Sequence, residues 1–219
     1  PDGRSLVFSA HHDDGQIDLR RKEPRATAPE TVLHDSPGGD FAEGWTPDGR
    51  TLLFIRQPSS GEQSVWALSP EGDGAEPVLD AGFSVDEPQV SPDGRWLAYE
   101  SRESGRPEVY VEPFRREGER VRVSVEGGGV PKWRGDGEEL FFVTPNARLM
   151  SVDFHAAADG PEVGLPVELF ELTGFTNLAW DDYAPSADGQ RFLVKRPVDE
   201  AQPRRMHVIT SWPSLLKSR

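Results

Sequence analysis

The residues best suited to hold an ion stand together near the start of the chain. His11-His12-Asp13-Asp14-Gly15 offers two imidazoles and two carboxylates, donors that suit a divalent cation. The run lies in the expected loop between the second and third strands of the first repeat unit, so it is read as a solvated turn and no metal site is assigned. A second acidic set is dispersed: Asp40, Glu43, Asp86, Glu87, Asp181 and Asp182, with Lys132 as the basic exception. Gathered on one rim, these carboxylates would favour a cationic ligand or a Lys/Arg-bearing peptide, because a low-dielectric channel focuses their field. The rival reading is that a chain with 24 Lys+Arg, 38 Asp+Glu and a net charge of −14 has acidic loops everywhere, Asp181-Asp182 merely keeping an edge soluble.

Catalytic motifs are not found. There is no glycine-rich phosphate loop ending in Lys-Ser/Thr, no His-Glu pair at zinc spacing and no Gly-x-Ser-x-Gly elbow. Asp40-Phe41-Ala42 has the outline of a magnesium-binding Asp-Phe-Gly, but Ala42 breaks it and no His-Arg-Asp accompanies it. The expectation is a non-enzyme without a cofactor, any activity lying in a domain outside this chain. The negative charge repels phosphate backbones and argues against nucleic acid, and Arg20-Arg21-Lys22 and Arg204-Arg205 are read as solvated basic patches. No cysteine is present, which removes disulfides and thiolate metal sites. No apolar run approaches the roughly 18 residues of a membrane span.

The elements that must position these residues are announced by a repeat. Pro1-Asp2-Gly3-Arg4-Ser5-Leu6-Val7-Phe8 returns at Pro47-Asp48-Gly49-Arg50 and at Pro92-Asp93-Gly94-Arg95, with weaker copies at Gly135-Asp136-Gly137 and Ala187-Asp188-Gly189. The aspartates are spaced 46, 45, 43 and 52 residues apart, which fits a four-stranded propeller blade of about 40–50 residues. Each copy is a hairpin turn: proline presets φ, aspartate bonds its own backbone and glycine takes the left-handed conformation. The five aspartates are turn formers on turns expected to point apart. The 22 glycines and 20 prolines agree with many short strands.

The fold is therefore expected to be all-β: one propeller domain over 1–219, with antiparallel four-stranded blades near 1–38, 39–82, 83–127, 128–174 and 175–219. Blade three should place its strands over 87–91, 95–101, 108–114 and 120–125, and blade five should end on a strand over 206–212. Trp96, Ala98 and Glu100 alternate with Leu97 and Tyr99, a period of two that buries both faces between neighbouring blades. Trp45 and Trp133, two residues before their turns, belong to that inter-blade core, as does Val90 in the same slot, and Gly127 to Gly129 form a loop between blades. Blade one lacks its inner strand, so the ring is expected to have six or more blades, at least one of them upstream. The acidic set precedes the inner strands, at one mouth of the channel.

At Trp45-Thr46-Pro47-Asp48-Gly49-Arg50 and Val90-Ser91-Pro92-Asp93-Gly94-Arg95-Trp96-Leu97-Ala98-Tyr99 the sequence resembles the repeat of TolB-type propellers, relatives of WD-repeat propellers. Ser104-Gly105-Arg106-Pro107-Glu108-Val109-Tyr110-Val111, Gly127-Gly128-Gly129-Val130-Pro131-Lys132-Trp133 and Ser211-Trp212-Pro213-Ser214-Leu215-Leu216-Lys217 resemble the C-terminal propeller of large bacterial proteins. In many of these it follows a serine/threonine kinase domain and a membrane span. The resemblance implies a sensor or protein-interaction module in an extracytoplasmic or periplasmic setting, with an upstream kinase domain, and it brings no catalytic residue. Two alternatives remain open: the gating propeller of a prolyl-oligopeptidase-type peptidase, and a periplasmic TolB-like protein. The ending at 211–219 reads like a terminus, against the peptidase.

Overall fold

The computed structural model describes residues 5–23, 29–69, 71, 74–157, 160–172 and 183–195, and the backbone of 207–210. Nineteen strands and no helix are found among them. The first sheet begins with β1 (Leu6–His11), β2 (Ile17–Lys22) and β3 (Thr31–His34), which pair antiparallel in turn. Blade two follows as β4 (Gly39–Trp45), β5 (Leu52–Gln57), β6 (Ser64–Leu68) and β7 (Glu76–Leu79), again antiparallel. A single parallel bridge, Ile17↔Gly39, joins β2 to β4 and makes the two blades one continuous sheet.

Blade three is β8 (Val85–Val90), β9 (Trp96–Ser101), β10 (Glu108–Pro113) and β11 (Val121–Arg122) in the order β11-β10-β9-β8. Its outermost strand is shorter than the expected 120–125, because beyond Arg122 the chain leaves the ladder: Val123 N donates to Val109 O and Ser124 Oγ turns inward to Glu108. Blade four is β12 (Gly129–Trp133), β13 (Glu139–Val143), β14 (Arg148–Ala157), β15 (Gly160–Val163) and β16 (Val167–Glu171). The first half of the long β14 pairs with β13 and β16, while its second half forms an additional hairpin with β15. Gly129, expected in a loop, begins β12 and pairs with Val143. The last sheet is β17 (Tyr183–Pro185), β18 (Arg191–Val194) and β19 (His207–Thr210).

The repeated motif forms the turn between the first two strands of a sheet. Gly94 N donates to Ser91 O, Asp93 Oδ1 accepts Arg95 N at 3.0 Å, and Gly94 has φ 74°. The same bonds recur at Asp48, Asp136 and Asp188. Neighbouring turns do not point apart. Those of blades two and three border one groove of about 530 Å³ lined by Pro47, Asp48, Pro92 and Asp93, and Gly135 N donates to Ala187 O across the next pair. Sheets stacked around a common axis bring their first hairpins side by side.

Alternation along each second strand divides its side chains between two seams. Leu97 and Tyr99 join Leu53, Ile55 and Val65 between blades two and three, whereas Trp96 and Ala98 join Trp133, Leu140 and Phe142 between blades three and four. Phe141, Val143 and Phe192 fill the next seam. Trp133 packs edge-on to Phe154 and its Nε1 donates 3.1 Å to Gln89 O of the preceding blade. The first strands β4, β8, β12 and β17 touch in succession and form the inner wall.

Candidate binding site on the inner strands of blades two to four

The inner strands of blades two to four share one irregularity. Each loses register with its partner near its middle: between Ala42 and Gly44, between Asp86 and Gln89, and between Gly129 and Lys132. At the second and third of these bulges Glu87 and Val130 occupy equivalent positions in the left-handed region, φ 53° and 54°. For the β-branched Val130 this conformation costs on the order of 1–3 kcal/mol. It is held by a bond across the seam, Tyr183 Oη donating 2.8 Å to Val130 O. The bulges turn side chains next to them out of the regular in-and-out alternation.

The acidic residues expected on the rim take different places. Asp40 is fully buried, accepting Ser36 Oγ at 2.9 Å and Arg56 Nε at 3.3 Å, with His34 Nε2 3.9 Å away. The Arg56 guanidinium lies 3.7 Å over the Trp66 ring and donates to His34 Nε2 at 2.6 Å. A guanidinium has no acceptor, so this imidazole nitrogen carries no proton. Burial, more than any neighbouring charge, holds the His34 pKa below 6.5. Asp40 thus sits inside an ion-pair cluster. Glu43 is half-buried at the first bulge. Glu87 is buried, 3.9 Å from Lys132 Nζ across the seam of blades three and four. Asp86 is half-buried beside it, Oδ1 accepting Glu87 N at 2.9 Å. Asp181 and Asp182 lie outside the described residues.

Glu100, read in the sequence as a member of the Trp96 face of its strand and not as a site residue, completes this group. In register, Asp86 stands opposite Glu100; the matching cross-strand pairs are Phe41↔Ile55 in blade two and Gly129↔Val143 in blade four. Ile55 and Val143 are 1% and 3% exposed. Blade three therefore carries two carboxyl groups where its neighbours carry apolar or small residues. The Glu100 side chain is 15% exposed, 3.6 Å from Arg102. Burial, then the charge of Asp86, pushes its pKa from 4.5 to about 7 against the pull of Arg102. Burial likewise raises Asp86. A Cβ at position 129 would collide with Glu100 Oε2, so only glycine lets this carboxyl rest on β12. Aligning the repeats would have exposed the substitution of Ile55 and Val143 by Glu100.

The histidine-rich run forms the β1–β2 turn, Gly15 N donating to His12 O and Gln16 N to Asp14 Oδ1. His12 Nε2 approaches buried Asp18 at 3.1 Å, and Arg20 Nε donates to the same carboxylate at 3.0 Å. Among the described residues no group of three or more His, Asp or Glu is placed to hold a metal ion. Among the described residues there is no helix long and apolar enough to cross a membrane, which says nothing of a β-barrel.

Comparison with known proteins places this architecture. No protein-family model matches the chain. The uncharacterized protein Atu1656 of Agrobacterium fabrum is 23% identical over 158 residues, 65% of this chain and 52% of that protein. Among solved structures, TolB from Acinetobacter baumannii aligns with a TM-score of 0.69 at 16% identity, over 94% of this chain and 50% of its own length. A puromycin-hydrolyzing peptidase of Mycobacterium tuberculosis aligns with a TM-score of 0.61 at 22% identity, over 89% of this chain and 34% of its own. The chain spans about half the length of Atu1656 and of that TolB. Its fold is a β-propeller, as in these structures.

Proposed function

We propose that the chain is a non-catalytic binding scaffold whose inner-strand rim recognises a basic segment of a protein or peptide partner. The observation that carries this is the carboxyl group cluster of Asp86, Glu87 and Glu100 on blade three, in a slot that blades two and four fill with apolar or small residues. Buried acids there cost stability, and local choices that oppose the fold mark functional positions. A guanidinium or ammonium brought to the rim would offset that cost and displace Lys132 from Glu87. An extracytoplasmic sensor role, joined to a kinase domain, is the wider setting this reading favours. The test is titration calorimetry with a Lys/Arg-rich peptide and a Glu-rich control of equal length. Binding of the basic peptide alone, weakened by salt and lost in Glu87→Gln/Asp86→Asn, is the expected result. Equal binding of both peptides, or of neither, would sink the reading.

A second reading, a substrate-gating propeller, is favoured by the structural likeness to the puromycin-hydrolyzing peptidase. The full reading frame separates the two: a Gly-x-Ser-x-Gly hydrolase following this chain supports the gate, and a kinase domain preceding it supports the sensor.

A further inference from the structure

Asp86 and Glu100 face each other across the first hairpin of blade three, and the Glu100 carboxyl rests on Gly129 of blade four. The homologous seam between blades two and three is closed by Phe41 and Ile55, an apolar contact with no dependence on pH. We infer that the Asp86–Glu100 pair is a proton-sensitive latch: with one of the two carboxyls protonated the hairpin seats on β12, and with both ionised it loosens from it. Two ionised carboxylates in a slot that the neighbouring blades fill with apolar or small residues repel one another and seek water, of which half-buried Asp86 and the 15% exposed Glu100 gain more when β8 and β9 part from β12.

The surrounding charges agree with a latch tuned near neutrality. Arg102, after β9, is the cation closest to Glu100, at 3.6 Å, and favours ionisation; burial and Asp86 oppose it more strongly. On β8 the adjacent Glu87 lies by Lys132 of β12, so the one basic group on the facing strand is already shared. The acids on the other packed strands belong elsewhere. Glu108 of β10 accepts Arg106, Ser124 and Gly127, Glu112 accepts Tyr99, and Asp40 of β4 holds Arg56; Glu43 of β4 lies at the bulge of blade two. Because the pair interacts, its two protons leave in steps that belong to both residues. Loosening would expose Glu87 and Lys132, so the latch would govern access to the rim; that consequence rests on the binding function proposed above, while the latch itself does not.

The experiment is a carboxyl ¹³C NMR titration of the intact chain, with amide-exchange protection factors for β8 and β12 at pH 6 and pH 8, in wild type, Glu100→Gln and Glu100→Ile. In wild type one carboxyl should titrate near neutrality, and protection along β12 should fall at least about tenfold between the two pH values. In both variants that titration should vanish and protection should stay level. A wild-type spectrum in which every carboxyl titrates below about pH 5.5, or protection that does not change with pH, would overturn the latch. Affinity for the Lys/Arg-rich peptide is measured in parallel. A latch that titrates without peptide binding would refute only the binding function, and binding without titration would refute only the latch.

Discussion

Replacing Asp40 by asparagine preserves the shape of the side chain and removes its charge, in a place where the charge has one main duty. The carboxylate is fully buried and neutralises Arg56, whose side chain is 19% exposed and is stacked on Trp66. After substitution the guanidinium keeps the aromatic face and the His34 nitrogen and loses its counter-charge. Breaking one partner of a buried pair costs about 3–5 kcal/mol. The residual exposure of Arg56 and the Trp66 ring put this case at the lower end, ~3 kcal/mol, or a fall in Tm of about 6–12 °C for a chain of this size. Urea unfolding at pH 7 measures it. The double variant Asp40→Asn/Arg56→Met should recover part of the loss, with a coupling of at least about 1.5 kcal/mol. Affinity for a basic peptide should be unchanged, because Asp40 already holds a guanidinium. A loss below about 0.5 kcal/mol, the size of an ordinary surface substitution, would refute the ion-pair reasoning. Loss of peptide affinity in a folded Asp40→Asn chain would show that Asp40 serves the rim.

Three further outcomes are expected. His34 is held neutral in the fold, with a pKa below 6.5, so its contribution to stability is present above pH 6.5 and is lost as pH falls toward the lower folded value; the urea midpoint should drop between pH 7 and pH 5, less so in His34→Gln. Glu100 has the opposite sign. Its folded pKa lies above 4.5, so its contribution is present below pH 4.5 and lost as pH rises through about 7. That interval corresponds to roughly 3 kcal/mol at most, so Glu100→Gln should be stabilised by up to that amount at pH 8 and little changed at pH 4.5, read from the same unfolding curves. Gly129→Ala should move the Glu100 carboxyl off β12 and destabilise by no more than about 1 kcal/mol, because the atom it meets, Glu100 Oε2, ends a flexible side chain, and Gly129→Ala/Glu100→Ala should match the stability of Glu100→Ala alone; equal losses in both backgrounds would refute the contact.

The repeat made the architecture legible before any coordinate. Pro-Asp-Gly turns with left-handed glycines, a period suited to four strands and a strict alternation along 96–99 are local properties, and they led to the turns, the order of strands and the assignment of Leu97 and Tyr99 to one seam and Trp96 and Ala98 to the other. Less was legible where a sheet met something outside its own repeat. The departure of Val123 and Ser124 from the outer strand follows from the buried Glu108 carboxylate, which draws Ser124 Oγ and Gly127 N inward. The β14–β15 hairpin is an addition to blade four that the repeat does not encode. The acidic set shows the limit most clearly. Its members look alike in the sequence, yet Asp40 is enclosed with Arg56, Glu87 lies by Lys132, and Asp86 gains a partner, Glu100, that lies 14 residues away in the chain. Side-chain period tells which face of a strand a residue joins. Whether that face offers a guanidinium, a second carboxyl or the bare backbone of Gly129 is set by the neighbouring blade, because the energy of a buried charge depends on what surrounds it in space.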